Sequence, residues 1–217
     1  MFPMRPVLAL FTTLLLGAQE GTPLKLPATP SGGATLFQAL QGRRTERSLG
    51  GPGLTLAEAA QLLWAAQGEN RPGKRTVPSA HAKYPLELYL LTSGSDTLAA
   101  GAYHYHSDGH SLGPVGTAGP GPLLAGLKGM QAWIAKAPAV FVVAGAPARM
   151  AAADPAVGQC LTYYEAGAAA QSLLLQAAAL GLDAGTAAGI DLPAVAQALK
   201  LPAGLQVLMV LPVGRKQ

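Results

Sequence analysis

The chain has 217 residues, of which 50% are hydrophobic and 12% are charged, and its formal net charge is +4. Disordered proteins have few apolar residues and a high density of charge, so this composition excludes that class for most of the chain. A single cysteine excludes an internal disulfide and a cysteine-rich metal site. The 15 lysines and arginines form no long stripe and do not alternate with aromatic residues, which argues against a nucleic-acid partner.

The N-terminal residues have the pattern of a signal peptide. Arg5 precedes an apolar run from Val7 to Leu16, and the small residues Gly17 and Ala18 offer a cleavage site. The run of about ten residues is short for a membrane span, which needs roughly 20. Export to the periplasm or the exterior is therefore expected, with a membrane tether formed by an uncleaved signal as the alternative. We predict three segments: a signal peptide at 1–18, a linker at 19–33 and one folded domain at 34–217.

Two short helices are predicted at the start of this domain. Leu36–Leu40 has an apolar pattern that ends at Gly42. Thr55 and Glu58 have the spacing of a capping box, which predicts a helix that runs to about Ala66. Arginines that follow Gly42 are therefore expected in a turn, where they can converge on an oxygen-rich ligand.

A hairpin is predicted where residues 102–106 are followed by a Ser-Asp-Gly turn at 107–109. Three histidines in this region suggest a metal site as an alternative, namely His104, His106 and His110. No acidic ligand flanks them in the sequence and the turn separates the third, so a solvated hairpin is the favoured interpretation.

The remaining elements alternate irregularly between strand and helix. Strands are predicted at Leu86–Thr92, Ala139–Ala144 and Leu205–Leu211, and helices at Gln131–Lys136, Tyr163–Leu180 and Leu192–Leu199, the last capped by Asp191. This order favours an α+β sandwich over a doubly wound fold. No Gly-x-Gly-x-x-Gly follows a strand and no Walker lysine is present.

Basic residues are concentrated in two places that lie far apart in the sequence. One is the segment 43–47, with three arginines, and the other is the C-terminal Gly214-Arg215-Lys216. In a chain with few cations, two such clusters favour a shared anion site, such as one for a cofactor phosphate. Solvated surface charge is the alternative for any one arginine.

Eight segments together resemble the nitroreductase superfamily over residues 36–216. They are Arg43–Arg47, Gln61–Gly68, Arg75–Ala80, Tyr84–Tyr89, Gly101–Tyr105, Glu165–Gly167 with Gln171, Leu180–Leu182 and Pro212–Arg215. They are most similar to the SagB-type branch, which is related to the azoline (thiazole/oxazole-forming) dehydrogenases. Order and spacing carry this resemblance, since no single segment is unique to the family.

The resemblance implies an FMN-dependent oxidoreductase with a central, mostly antiparallel sheet wrapped by helices. It also implies an intertwined homodimer with two flavins at the subunit interface. Hydride would pass through flavin N5 to or from a small organic substrate, as in the reduction of nitro compounds or quinones or in SagB-type dehydrogenation. NAD(P)H is the usual electron donor, but export favours another. A non-catalytic or degenerate flavin-binding domain is the alternative.

By the same resemblance, three groups of residues would hold FMN. The phosphate would be bound by Arg43, Arg44, Thr45, Arg47 and Arg215, and the flavin and ribityl chain would lie along Pro78, Ser79 and Ala80. Backbone amides around Ala166 and Gly167 would reach the N5 and O4 edge of the flavin, with Glu165 orienting that segment. The alternative for Glu165 is a carboxylate that complements the dipole at a helix start.

Two positions depart from the family pattern. His81 stands where this branch usually has glycine, and Ala82 where many nitroreductases have an asparagine. Either Tyr84 or His81 could donate a proton to a substrate beside the flavin. The alternative for Tyr84 is a packing role, and altered chemistry would be consistent with the non-catalytic hypothesis.

Overall fold

The computed structural model describes residues 22–28 and 33–217. The predicted signal peptide lies outside the described residues, as does part of the predicted linker. Within these residues, no helix combines the length and the apolar character that a membrane crossing requires.

The domain is built on an eight-stranded sheet in which all the paired strands are antiparallel. Its strands are β1 Leu24–Lys25, β2 Leu49–Gly50, β5 Leu86–Thr92, β6 Gly101–His106, β7 Ser111–Gly116, β8 Ala139–Gly145, β9 Asp183–Ala184 and β10 Gln206–Lys216. The order is β1-β7-β6-β5-β8-β10-β2, with β9 paired to β10, and β3 Glu69–Arg71 forms a separate ribbon with β4 Lys74–Arg75. The predicted α+β architecture is confirmed.

The register of the central strands defines two ends of the sheet. At one end, here called the Leu86 end, Leu86 and Gln206 both pair with Gly145. At the other, the Thr92 end, Thr92 and Val213 both pair with Ala139. The two ends are about 20 Å apart, because the seven residues of β8 span six steps of about 3.3 Å each.

Helices cover both faces of this sheet. They are α1 Leu36–Gly42, α2 Leu56–Gln67, α3 Pro120–Leu124, α4 Ala132–Lys136, α5 Pro147–Ala151, α6 Gly158–Ala179 and α7 Leu192–Ala198. The α6 face buries Leu88, Leu90, Phe141 and Leu211 against α2 and α6. The α4 face buries Tyr89, Leu91, Val140 and Val142 together with residues of α3, α4 and α7. Strand residues therefore alternate between two apolar layers, as a sheet covered on both sides requires.

The predicted caps are confirmed. Thr55 Oγ1 accepts from the Glu58 amide, while the Glu58 carboxylate accepts from the Thr55 amide, which is the reciprocal bonding of a capping box. Asp191 caps α7 through the Ala194 amide at 3.0 Å. Helix α2 ends at Gln67, one residue beyond the predicted Ala66, with Gly68 as its C-cap.

Two predicted boundaries are wrong. Helix α6 begins at Gly158 rather than Tyr163, because the residues between them contain no proline that would break the helix. Strand β10 continues past Leu211 to Lys216, so Arg215 lies on a strand rather than in an exit loop. Pairing with β9 and β2 sustains the strand beyond Pro212.

Part of the predicted linker belongs to the fold. Strand β1 pairs with β7, and Leu26, which is 3% exposed, donates its amide to the His110 carbonyl. Proline and glycine around this segment suggested a linker, but one buried leucine and an unpaired sheet edge are enough to dock it.

Candidate functional site

The two basic segments meet at the Thr92 end of the sheet. Arg215 is paired with Gly50 in the ladder between β10 and β2. The Gln217 amide donates to the Ser48 carbonyl at 3.0 Å, and the Glu46 amide donates to the Ala184 carbonyl at 3.0 Å. Residues 43–48 therefore run alongside the last residues of β10, although nearly the whole sequence separates them.

Carboxylates offset part of this positive charge. The pairs are Arg44–Asp183 at 3.1 Å, Arg215–Glu58 at 2.6 Å and Lys216–Glu46 at 3.6 Å. Backbone amides of Ser48 and Arg47 bond to the Glu46 carboxylate and lower its pKa. These acids hold the cations in place, which limits the entropy lost when an anion binds.

Several donors in this cluster have no acceptor among the described residues. Arg215 Nη1 is buried and lacks a hydrogen-bond partner, while Nη2 binds Glu58. No carboxylate of the described part of the chain pairs with Arg43, which is half-buried at the end of α1. Arg47 lies over the Trp133 ring at 5.9 Å, and Thr45 is exposed beside Ala184. Guanidinium donors left open in this way suit a phosphate group.

A second group of predicted residues lies at the Leu86 end, in the loop before β5. Glu165, on α6, is 2% exposed and accepts a hydrogen bond from the Ala80 amide at 2.9 Å. Ser79 Oγ accepts from the Tyr84 amide at 2.8 Å. Glu165 is expected from the sequence to orient the segment around Ala166 and Gly167, whereas its carboxylate holds the Ala80 amide of this loop from within α6.

Backbone strain is concentrated in this loop. Three residues adopt the left-handed conformation, His81 at φ 52°, Ala82 at φ 50° and Tyr84 at φ 44°. Such conformations cost of order 1–3 kcal/mol each and persist only where the surroundings enforce them. Glu165 and Ser79 supply that enforcement through the bonds to Ala80 and Tyr84.

Glu165 is also electrostatically unusual. Burial raises the pKa of this carboxyl group, while the Ala80 amide, the Ser79 hydroxyl and the charge of Arg75 act in the opposite direction. Its second oxygen, Oε2, is buried and has no hydrogen-bond partner among the described residues. The group is therefore a buried acid with one oxygen in use and one available.

Ala166 and Gly167 lie in a helix, as the predicted helix at Tyr163–Leu180 places them. Both lie well inside α6, where each amide donates to the carbonyl four residues earlier. Their amides are therefore engaged within the helix, and the expected contact of these amides with a flavin stays a prediction. Gly167 instead leaves an exposed gap on the helix, since a Cβ there would meet nothing within 4 Å.

The two candidate proton donors differ in their surroundings. Tyr84 donates its hydroxyl to the Gly73 carbonyl at 3.1 Å, and its ring lies under Arg75 at 4.6 Å. The hydroxyl is thus engaged in packing the loop against the β3–β4 ribbon. His81 is exposed in the same loop. A catalytic role for either residue stays a prediction.

The predicted site residues do not form one cluster within a chain. The basic cluster lies at the Thr92 end, and the 78–84 loop with Glu165 lies at the Leu86 end, about 20 Å away by strand rise. Helix α6 gives a second measure of this separation, because the fourteen residue steps from Glu165 to its last residue, Ala179, rise about 21 Å. The residues expected around one flavin therefore belong to opposite ends of the domain.

One polar cluster was not predicted from the sequence. His104 is not simply a solvated hairpin residue, because its Nε2 lies 3.1 Å from Glu87 on the neighbouring strand. Arg149 of α5 contacts the same carboxylate at 2.9 Å. Glu87 and His104 occur on adjacent strands with the same facing, a signal that strand pairing would have revealed, but nothing in the sequence points to Arg149. Among the described residues, no three His, Cys, Asp or Glu side chains are grouped to hold a metal.

Comparison with known proteins gives consistent matches. The model of the nitroreductase family matches residues 40–215. A curated Methanocaldococcus jannaschii protein named as a nitroreductase is 33% identical over 175 residues, which cover 80% of this chain and 87% of the relative.

The fold is shared with solved structures of other proteins. A Ralstonia eutropha protein named as a nitroreductase aligns with a TM-score of 0.78 and 25% identity, over 100% of this chain and 99% of that one. A Desulfovibrio desulfuricans protein, also named as a nitroreductase and solved in complex with FMN, aligns with a TM-score of 0.61 and 19% identity. That alignment covers 85% of this chain and 88% of the other.

Proposed function

Because this chain belongs to the nitroreductase family, we propose that it is an FMN-dependent oxidoreductase acting on a small organic substrate. The observation that carries the proposal is the basic cluster, in which β10 brings Arg215 beside the segment 43–47. A buried guanidinium nitrogen without a partner is costly unless a ligand satisfies it.

The residues present fit FMN. Arg43, Arg47 and Arg215 would hold the phosphate, with Thr45 adding a hydroxyl, while Arg44 has its charge shared with Asp183. The small side chains of Pro78, Ser79 and Ala80 allow a flat ring to approach the loop backbone. When bound, FMN supplies a site at N5 that accepts and releases hydride. The protein binds, orients and excludes water.

A homodimer would complete the site. Since the basic cluster and the 78–84 loop lie about 20 Å apart in one chain, we propose that each flavin lies between the basic cluster of one subunit and the loop of the other. Exposed apolar side chains on α1 and α6 offer a surface for this contact, namely Leu36, Phe37, Leu40, Tyr163 and Tyr164. Large apolar side chains at the surface mark interaction sites.

The first experiment is an absorbance spectrum of the purified protein from about 300 to 550 nm, with mass spectrometry of the released chromophore. We expect bound FMN. Arg215→Gln should weaken FMN binding at least tenfold, as loss of a charge-assisted bond does, whereas Arg71→Gln, an equal loss of charge on the exposed β3, should not. A colourless protein that fails to take up FMN would favour the degenerate-domain alternative.

The direction of hydride transfer separates two reaction classes. The motifs at 43–47, 61–68 and 75–80 favour SagB-type dehydrogenation as a second candidate beside the reduction of nitro compounds or quinones. Under anaerobic conditions, bleaching of the oxidised flavoprotein by a thiazoline peptide would support dehydrogenation. Reoxidation of the chemically reduced protein by a quinone, without reaction of the thiazoline, would support reduction.

We propose export by the N-terminal segment 1–18, and hence an electron donor other than NAD(P)H. Nicotinamide cofactors are scarce outside the cytoplasm, so a slow reaction of the flavin with NADPH is expected. Fractionation of cells that express the full chain tests the location. Recovery in the cytoplasm together with rapid NADPH turnover would contradict both parts.

A further inference from the structure

A cavity of about 410 Å³ lies on the α4 face of the sheet at its Leu86 end. Strands β5 and β6 form its floor with Glu87, Tyr89 and His104, and α5 and the segment 202–205 form its walls. The volume falls in the range of small-molecule sites. This cavity is separated by the sheet from Glu165, which lies on the α6 face.

The negative charge of Glu87, the acid in this cavity, is already balanced by its neighbours. Glu87 Oε1 accepts from Arg149 at 2.9 Å, and Oε2 lies 3.1 Å from His104 Nε2. Burial raises the pKa of Glu87, but the bonds from His104 and Arg149 outweigh it and lower the pKa overall. Because both carboxylate oxygens are occupied by cationic or N–H groups, the acid offers little to a cationic ligand.

Arg149 has donors to spare. The guanidinium carries five N–H groups, and two contacts account for two of them, to the Tyr84 carbonyl at 2.7 Å and to Glu87. The side chain is 44% exposed and lines the cavity. These bonds also fix the guanidinium in place, so that its remaining donors are oriented before any ligand arrives.

The other walls are apolar. They are formed by the Tyr89 ring, which stacks on His104 at 4.8 Å, and by Ala146, Ala148, Pro202, Ala203 and Leu205. One oriented guanidinium at the edge of an apolar cavity matches a single negative charge on an apolar body. A phosphate dianion would need more than one such donor group.

We propose that this cavity is a binding site for a small organic carboxylate, held by Arg149 through its carboxylate and by Tyr89 and the 202–205 segment through its apolar body. Arg149 also donates to the Tyr84 carbonyl, so this side chain links an occupant of the cavity to the 78–84 loop. The proposal does not depend on FMN binding.

The test uses benzoate as the probe and the four histidine rings of the chain as reporters in NMR spectra of the full-length protein. We expect a saturable shift of the His104 ring signal, with the exposed His81 unaffected. Benzamide, which has the same shape without the charge, and inorganic phosphate should bind at least tenfold more weakly. A shift that rises linearly without saturation, or equal shifts with benzamide, would overturn the proposal.

Three variants place the site. Arg149→Gln and the cavity-filling Ala203→Trp should each weaken benzoate binding at least tenfold, while Arg71→Gln on β3 should leave it unchanged. Ala203→Trp leaves the Arg149–Glu87 pair intact, so it remains informative if Arg149→Gln does not fold. Unchanged benzoate affinity in the folded Ala203→Trp variant would show that the cavity is not the site.

Discussion

Glu165 brings an ionisable carboxyl group into the apolar interior and uses one oxygen to hold the Ala80 amide. The bonded loop contains three residues in the left-handed region, which would relax if released. The Glu165 side chain therefore holds the 78–84 loop against α6. Its effect should therefore appear first in the mobility of the loop.

Glu165→Ala should release this loop. Loss of the acceptor leaves the Ala80 amide unsatisfied, a penalty of about 1–3 kcal/mol, so amide hydrogen exchange in residues 80–84 should accelerate about tenfold or more. Glu165→Gln keeps an acceptor oxygen and should accelerate exchange much less. Equal protection of the loop in the alanine variant and the wild type would show that Glu165 does not hold the loop in place.

The raised pKa of Glu165 predicts a pH dependence of stability. A carboxyl group whose pKa is higher in the folded than in the unfolded state favours folding below the unfolded value, 4.5, and this contribution is lost as the pH rises through the folded pKa. The free energy of unfolding of the wild type relative to Glu165→Gln should therefore decrease as the pH rises above 4.5. A difference that increases with pH would show that the carboxylate is stabilised, not strained.

At the scale of single elements, α2 joins helix capping to the basic cluster. Glu58 accepts from the Thr55 amide with Oε2 at 2.8 Å and from Arg215 with Oε1 at 2.6 Å. Helix α1 has the same type of capping box, formed by Thr35 and Gln38, but lies at the surface with Leu36, Phe37 and Leu40 exposed. The two helices therefore allow the same cap to be removed once from a buried helix and once from an exposed one.

Thr55→Ala should lower the free energy of unfolding by about 1 kcal/mol, as loss of an N-cap does. Thr35→Ala should lower the free energy of unfolding of a separated subunit less, because in one chain the seven residues of α1 are mostly exposed and fray with little cost to the core. Denaturant titration of both variants measures the difference. A larger loss for Thr35→Ala would mean that α1 is more firmly held than its exposure indicates.

At the scale of the whole molecule, the separation of the two site halves predicts complementation between subunits. Arg215→Gln damages the basic half and Ala80→Phe blocks the loop half. A mixed dimer of these variants would contain one site with both defects and one site with none. Each variant alone should bind little FMN, and a refolded equal mixture should recover about a quarter of the wild-type sites if subunits pair at random.

Recovery is measured as flavin bound per chain after gel filtration. Each variant refolded alone in the same way provides the control. No recovery from a mixture that does form dimers would place each site within a single chain, contrary to the proposed arrangement.

How much could be predicted differs between local and distant features. Thr55, Glu58 and Asp191 marked helix starts correctly, because a cap depends on residues three or four positions away. Pro212 suggested a strand end that β9 and β2 in fact prevent. Leu24–Leu26 lacked any local signal strong enough to oppose the surrounding prolines, and pairing with β7 decided its structure.

The sequence by itself determined the fold class, the family resemblance and the identity of the basic residues, since these follow from periodicity, capping and the order of motifs. Only the tertiary structure decided where those residues meet. It placed Arg215 beside the segment 43–47, moved the 78–84 loop to the other end of the sheet, and joined Glu87, His104 and Arg149. The physical reason is that strand register and helix length set distances between residues that no local pattern links.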